Sequence, residues 1–247
     1  MSQKIFIKTF GCQMNEYDSN RIFDSVKKIG FEKTNNYEDA NCYLLNTCHI
    51  RDKAVEKTFS DLGRIKKTIE INKYQSQKPI IVVAGCVAQA QGQEILKRSP
   101  WVDIVVGPQS YTELPTLISK VNKIEKKKLV NIEFPTIPKF DYLDHNLIEK
   151  KRSAFLTIQE GCDKFCSFCV VPYTRGPEFS RSAESIIEEV RFLVKKGVKE
   201  VILLGQNVNA WKYKSASGKN WSFGNLIEEI ANFEKIFSIK YTTSHPL

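Results

Sequence analysis

The chain has 247 residues, 42% hydrophobic and 26% charged, with a net charge of +9 and seven cysteines. That length allows two ordinary domains with real cores, and no apolar run approaches the ~20 residues that span a bilayer. The opening Met1-Ser2-Gln3-Lys4-Ile5-Phe6-Ile7 is too short and too alternating for a signal peptide, so a soluble cytoplasmic protein is predicted, whose cysteines read as metal ligands rather than disulfides.

Residues 4–9 predict a strand ending at Gly11-Cys12, and 18–29 a helix stopped at Gly30. Strands at 42–46, 80–84 and 104–106 follow, separated by helices at 52–71 and 93–98 and closed by a helix at 113–123. Strand–helix alternation of this kind predicts an α/β fold, an open parallel sheet with flanking helices. Pro135 and Pro138 mark a linker, giving a first domain over 1–125, a linker over 126–150 and a second domain over 151–247. The alternation then restarts, with strands at 155–158, 201–204 and 239–242 and helices at 183–196 and 225–230. The basic excess is spread over both halves and suits a polyanion such as RNA, or reflects only a lysine-rich composition. The lysines at 123 and 126–128 read as a solvated helix end.

Cys162, Cys166 and Cys169 form a CxxxCxxC run directly after the strand at 155–158. Three thiolates on one short loop suit a four-iron cluster with one iron left open. Structural zinc prefers paired CxxC units, and no second pair follows. Inert core cysteines would have no reason to adopt this spacing.

Cys12, Cys48 and Cys86 each fall just beyond the C-terminal end of a different strand. In an open parallel sheet that edge is where ligands bind, and right-handed crossovers bring the three loops to it. The alternative is three unrelated loop thiols. Cys42, at the other end of its strand, reads as a small buried hydrophobe. His49 reads as a solvent-edge histidine, and His145 and His245 are isolated, with no metal assigned.

At these residues the sequence resembles the methylthiotransferases of the radical S-adenosylmethionine superfamily. The matching stretches include Gly11-Cys12-Gln13-Met14-Asn15, Asn46-Thr47-Cys48-His49, Ala84-Gly85-Cys86, Val106-Gly107-Pro108-Gln109, residues 160–176, Leu204-Gly205-Gln206-Asn207 and Thr243-Ser244-His245-Pro246. They run through essentially the whole chain in order. The Gly-Cys-Gln-Met-Asn form and Val170-Val171-Pro172-Tyr173 favour the branch acting on N6-isopentenyladenosine in tRNA. Sister branches act on another modified adenosine of tRNA or on a ribosomal protein.

The resemblance implies two 4Fe–4S clusters. One, on Cys162, Cys166 and Cys169, would bind S-adenosylmethionine at its open iron and cleave it to a 5′-deoxyadenosyl radical. The other, on Cys12, Cys48 and Cys86, would carry the sulfur to be inserted. It further implies that Phe168 packs near the cofactor's adenine and that Gly205, Gln206 and Asn207 lie near its methionine part. For Arg175 and Arg181 it leaves the cofactor carboxylate, tRNA phosphate or a plain surface charge. The implied partners are tRNA and a reducing electron-donor protein. The second domain would be the first half of a partial (β/α) barrel, with three further units and an RNA-binding module absent after Leu247. A separately encoded C-terminal half is therefore a possible partner, and a non-catalytic iron–sulfur fragment is the alternative function.

Overall fold

A computed structural model describes residues 3–49, 52–71, 78–123, 128–134 and 152–245. His145, Pro246 and most of the segment read as a linker lie outside the described residues. The chain divides into two units, Met1–Asp144 and His145–Leu247.

The first unit is a six-stranded sheet whose strands β1 (Gln3–Thr9), β2 (Phe31–Lys33), β3 (Cys42–Thr47), β4 (Ile80–Gly85), β5 (Ile104–Val106) and β6 (Leu129–Asn131) lie in the order β2-β1-β3-β4-β5-β6. Every pairing is parallel. β3 and β4 are buried at every position, which is why they read as continuous apolar runs rather than alternating ones.

Successive residues of these strands enter opposite layers. Leu44, Val82 and Ile104 pack with α1 (Gln13–Lys27) and α5 (Leu114–Lys123). Leu45, Val83 and Val105 pack with α2 (Asp52–Ile71) and α4 (Gln93–Arg98). A sheet covered on both faces in this order reverses its winding between β1 and β3, and the crevice outside that switch point is where such folds place ligands. The short helix α3 (Cys86–Gln91) follows β4 without a connecting loop. The expected strands and helices are present. β2, α3 and β6 are additions, and β6 comes from the stretch read as linker.

The second unit carries a three-stranded parallel sheet of β7 (Ser153–Thr157), β10 (Glu200–Leu204) and β13 (Ser238–Thr242), ordered β13-β10-β7. Helices α7 (Ala183–Lys195) and α8 (Phe223–Ala231) cover one layer through Ile186, Val190, Leu226 and Ile230. Both begin at a serine cap: Ser182 Oγ accepts from the Ser185 N–H, and Ser222 forms a reciprocal box with Asn225, which satisfies otherwise orphaned helix donors. Two small hairpins were not anticipated. One pairs β8 (Gln159–Glu160) with β9 (Phe179–Ser180), the other β11 (Lys212–Lys214) with β12 (Asn220–Ser222). Between β9 and β8 lies the short helix α6 (Val171–Thr174). Among the described residues no helix is long and apolar enough to cross a membrane.

Candidate metal centres

β1, β3 and β4 are adjacent, so the residues after their C-terminal ends form one layer beside the switch point. Thr47 stands opposite Gly85, which puts Cys48 and Cys86 at equivalent positions one residue further on. Gly11 brings the third loop in. It has φ +96°, and a Cβ built on it would lie 2.2 Å from Cys48 Cβ and 2.7 Å from Cys48 Sγ. Only a residue without a side chain lets the Cys12 loop approach Cys48 this closely.

A buried polar network fixes the layer. Asn15 Nδ2 donates to Phe10 O at 2.8 Å and Thr47 O at 2.9 Å, joining the first two cysteine loops through one side chain. Asn46 Nδ2 donates to Asn15 O and to Ser19 Oγ, each at 2.9 Å, and Tyr111 Oη donates to Asn46 Oδ1. Thr47 Oγ1 donates to Ala84 O at 2.5 Å and accepts from the Val87 N–H at 3.3 Å, tying in the third loop. Asn15, Asn46 and Thr47 are fully buried, so a side chain that could not complete these bonds would leave donors orphaned in the core. Cys48 and Cys86 are buried and Cys12 partly so; none of the cysteines is in a disulfide. Gly85, at φ +95° and ψ −160°, occupies a region essentially confined to glycine.

Cys42 behaves differently. It is buried at the start of β3, and desolvation, with a smaller contribution from the Asp103 carboxylate, pushes its thiol far above the ordinary range. It therefore stays protonated and packs as a hydrophobe.

In the second unit the three-cysteine loop is closed at its base by the β8–β9 hairpin. Gly161, at φ +74°, lets the two loop stems touch: a Cβ there would lie 1.9 Å from Pro177 O. The Cys162 N–H donates to Gly176 O and the Cys169 N–H to Cys166 O. Phe165 has φ +46°. Phe168 is 91% exposed, so it is not a core aromatic and its ring is available to cover a ligand; Phe165 and Tyr173 are exposed as well.

Gly205, Gln206 and Asn207 follow β10 and hold the start of this loop. Gln206 Oε1 accepts from the Gly161 N–H at 2.6 Å, and the Asn207 N–H donates to Gln159 Oε1 at 2.9 Å. A Cβ on Gly205 would meet that same Gln159 oxygen at 2.7 Å. Asn207 Nδ2 is buried with no partner among the described residues, a donor that a polar ligand would satisfy.

Arg175 and Arg181 are not surface charges. Arg175 pairs with Glu160, and Arg181 bonds Glu189 Oε2 at 2.8 Å, Thr157 O at 2.6 Å and Ser185 Oγ at 3.0 Å; all four charged side chains are buried. Each arginine is committed to a carboxylate that also needs it, and the pairs brace the segments flanking the loop. Sequence reasoning missed Gln159, Glu160 and Glu189, because such partners meet only across elements. It also missed His245, whose Nε2 lies 3.6 Å from Cys166 Sγ.

Among the described residues no three His, Cys, Asp or Glu side chains converge as a single-ion site requires. A four-iron cluster asks something else: each thiolate takes a different iron, so its ligands surround a volume rather than a point. Thiols on a stem-closed loop, and thiols on three adjacent strand ends, fit that demand and the softness of iron–sulfur donors.

The sequence pattern of uncharacterized protein family UPF0004 matches residues 4–107, and that of the Radical SAM superfamily matches 156–247. In the solved structures the chain is similar to TsrM from Kitasatospora setae, a radical S-adenosylmethionine methyltransferase with cobalamin and a [4Fe-4S] cluster bound. The TM-score is 0.58 at 14% identity, covering 94% of this chain and 53% of that one, a likeness of fold alone. The second unit thus carries the sequence pattern of the Radical SAM superfamily, a class that implies a 4Fe–4S cluster and S-adenosylmethionine. Over its whole length the chain is 61% identical to tRNA-2-methylthio-N(6)-dimethylallyladenosine synthase of Pelagibacter ubique (strain HTCC1062) and 53% identical to that of Rickettsia rickettsii (strain Sheila Smith). Along its whole length the chain is thus similar to radical S-adenosylmethionine methylthiotransferases. It spans 54% and 56% of those two relatives, about half their length.

Proposed function

We propose that this chain serves the methylthiolation of C2 of N6-isopentenyladenosine next to the anticodon of tRNA, in a reducing cytoplasm and with an electron-donor protein. In this reading Cys162, Cys166 and Cys169 hold the cluster at which S-adenosylmethionine binds, and Cys12, Cys48 and Cys86 hold a second. When bound, the first supplies one electron to the sulfonium bond and the second a docking point for the sulfur to be transferred. Such chemistry suits a C2–H that no side-chain base of ordinary strength deprotonates.

The chain's own residues bind, orient and exclude. Phe168 covers the cofactor's adenine, while Gly205, Gln206 and Asn207 meet its methionine part, with Asn207 Nδ2 as the available donor. The Arg175–Glu160 and Arg181–Glu189 pairs hold the loop without entering the chemistry. The observation that carries the two-cluster reading is the Asn15–Asn46–Thr47 network, which commits three buried polar side chains to holding three cysteine loops in one layer.

The test is anaerobic reconstitution of the chain and of its Cys162→Ala/Cys166→Ala/Cys169→Ala variant. About eight irons are expected in the parent and about four in the variant, with reductive cleavage of S-adenosylmethionine lost in the variant. Unchanged iron, or zinc in its place, would contradict the ligand assignment. Mass spectrometry of tRNA adenosines, with the chain alone and with any separately encoded second half, tests the substrate.

A further inference from the structure

His245 is isolated in the sequence but held firmly in the fold. β13 pairs with β10 so that Thr242 stands opposite Leu204, and the chain then turns across the end of β10. The His245 N–H lies 3.2 Å from Asn207 Oδ1 and 3.1 Å from Asn209 Oδ1, and its carbonyl accepts from Asn209 Nδ2 at 2.8 Å. The clamp sets the imidazole Nε2 3.6 Å from Cys166 Sγ, within hydrogen-bonding reach of a sulfur.

A ring nitrogen beside a cluster thiolate can act as a ligand or as a donor. Each iron of a four-iron cluster takes one outer ligand, so the iron that receives Cys166 has no place for the ring. On another iron, His245 would fill the position the three-cysteine spacing leaves open. A donated N–H conflicts with neither count. It withdraws charge from the sulfur and favours the more negative, reduced state, so it raises the reduction potential.

We infer that His245 is a positioning residue whose Nε2–H donates to the Cys166 thiolate and makes the loop cluster easier to reduce. The inference rests on the proposal that Cys166 is a cluster ligand.

The test uses the 247-residue chain carrying Cys12→Ala, Cys48→Ala and Cys86→Ala, so that only the loop cluster titrates. In this background His245→Phe and His245→Gln are compared by iron content and by redox titration followed by electron paramagnetic resonance. The iron content should be unchanged in both. The Phe variant should shift to a more negative potential by roughly tenfold in the reduction equilibrium, about 59 mV for one electron, and Gln, which keeps an N–H, should restore most of it. An unchanged potential in the Phe variant, or equal shifts in both, would overturn the donor role; loss of iron in both would make His245 a ligand instead. Absence of iron from the parent would remove the cluster reading and the inference with it. Should circular dichroism show that the Phe variant does not fold, Asn209→Ala, which loosens the clamp, must give a smaller shift of the same sign, and no shift would refute the role.

Discussion

Gly11 and Gly30 make a matched pair for testing how the strand-end layer is built. Their φ angles are nearly alike, at +96° and +93°, but a Cβ at Gly30 would meet nothing within 4 Å, whereas one at Gly11 would lie 2.2 Å from Cys48 Cβ. Alanine at Gly30 pays only for a left-handed backbone, about 1–2 kcal/mol. Alanine at Gly11 pays that and an overlap with a buried side chain, a further ~1–3 kcal/mol. Cys48 cannot yield easily, because it follows a strand buried at every position. Urea denaturation of the two single variants should therefore separate them by that second increment, or about 2–4 °C of melting temperature for each kcal/mol. The same overlap displaces a proposed cluster ligand, so Gly11→Ala should also lose about four irons on reconstitution while Gly30→Ala loses none. Equal destabilisation with equal iron content would show that close approach of the two loops is not what the glycine provides.

Cys12→Ala, Cys48→Ala and Cys86→Ala should share one phenotype, loss of about four irons, despite lying far apart in sequence; Cys42→Ala should keep all iron and cost about 1 kcal/mol in buried volume, and three different iron contents would break the layer argument. Arg181→Met strands the Glu189 carboxylate in the core and should cost about 3–5 kcal/mol, most of it recovered in Arg181→Met/Glu189→Leu, as denaturation midpoints would report. The Tyr37 phenol is pushed up to about 12, by desolvation first and then by the Asp61 carboxylate and Tyr43. An unfolded tyrosine ionises near ~10, so the folded chain binds the proton more tightly. The associated stability is complete below about pH 10 and is lost as pH rises through about 12. Tyr37→Phe should flatten that alkaline decline, measured as urea midpoints against pH, and an unaltered profile would exclude Tyr37 as its source.

The parts of the fold visible in the sequence are those whose side chains carry the signal. β3 and β4 are covered on both faces and announce themselves as apolar runs, and α2 shows ordinary helical spacing. α1 was expected to begin at residue 18 and begins at Gln13, because its first turns turn Asn15, Asp18 and Ser19 inward. Buried amides and hydroxyls beside Met14 and Tyr17 interrupt the apolar stripe that would mark those turns. The three-residue edge strands β2 and β6 exist through backbone pairing that side-chain patterns do not encode. For Arg175 and Arg181 the sequence leaves a cofactor carboxylate, a tRNA phosphate or a surface charge, and not the buried ion pairs observed, because the glutamates that neutralise them lie on other elements. His245 is the sharpest case, since its approach to Cys166 depends on the parallel pairing of β13 with β10 and on the clamp from Asn207 and Asn209.

The two sets of thiols are thus built by opposite strategies, and their stabilities should follow different parts of the chain. Cys162, Cys166 and Cys169 are close in sequence, so the entropy of gathering them is small. Stem closure at Gly161, the two buried ion pairs and the clamp on His245 add orientation rather than proximity. Cys12, Cys48 and Cys86 are separated by whole strand–helix units, and nothing local brings them together. Their layer exists only when β1, β3 and β4 are paired, and Asn15 and Thr47 then bind one loop to the next. Opening of the first sheet must therefore disperse all three thiols at once, whereas the second unit's loop keeps its spacing through partial opening of its neighbours. The Cys12, Cys48 and Cys86 set is a property of the folded sheet, and the Cys162, Cys166 and Cys169 set is already half made in the sequence.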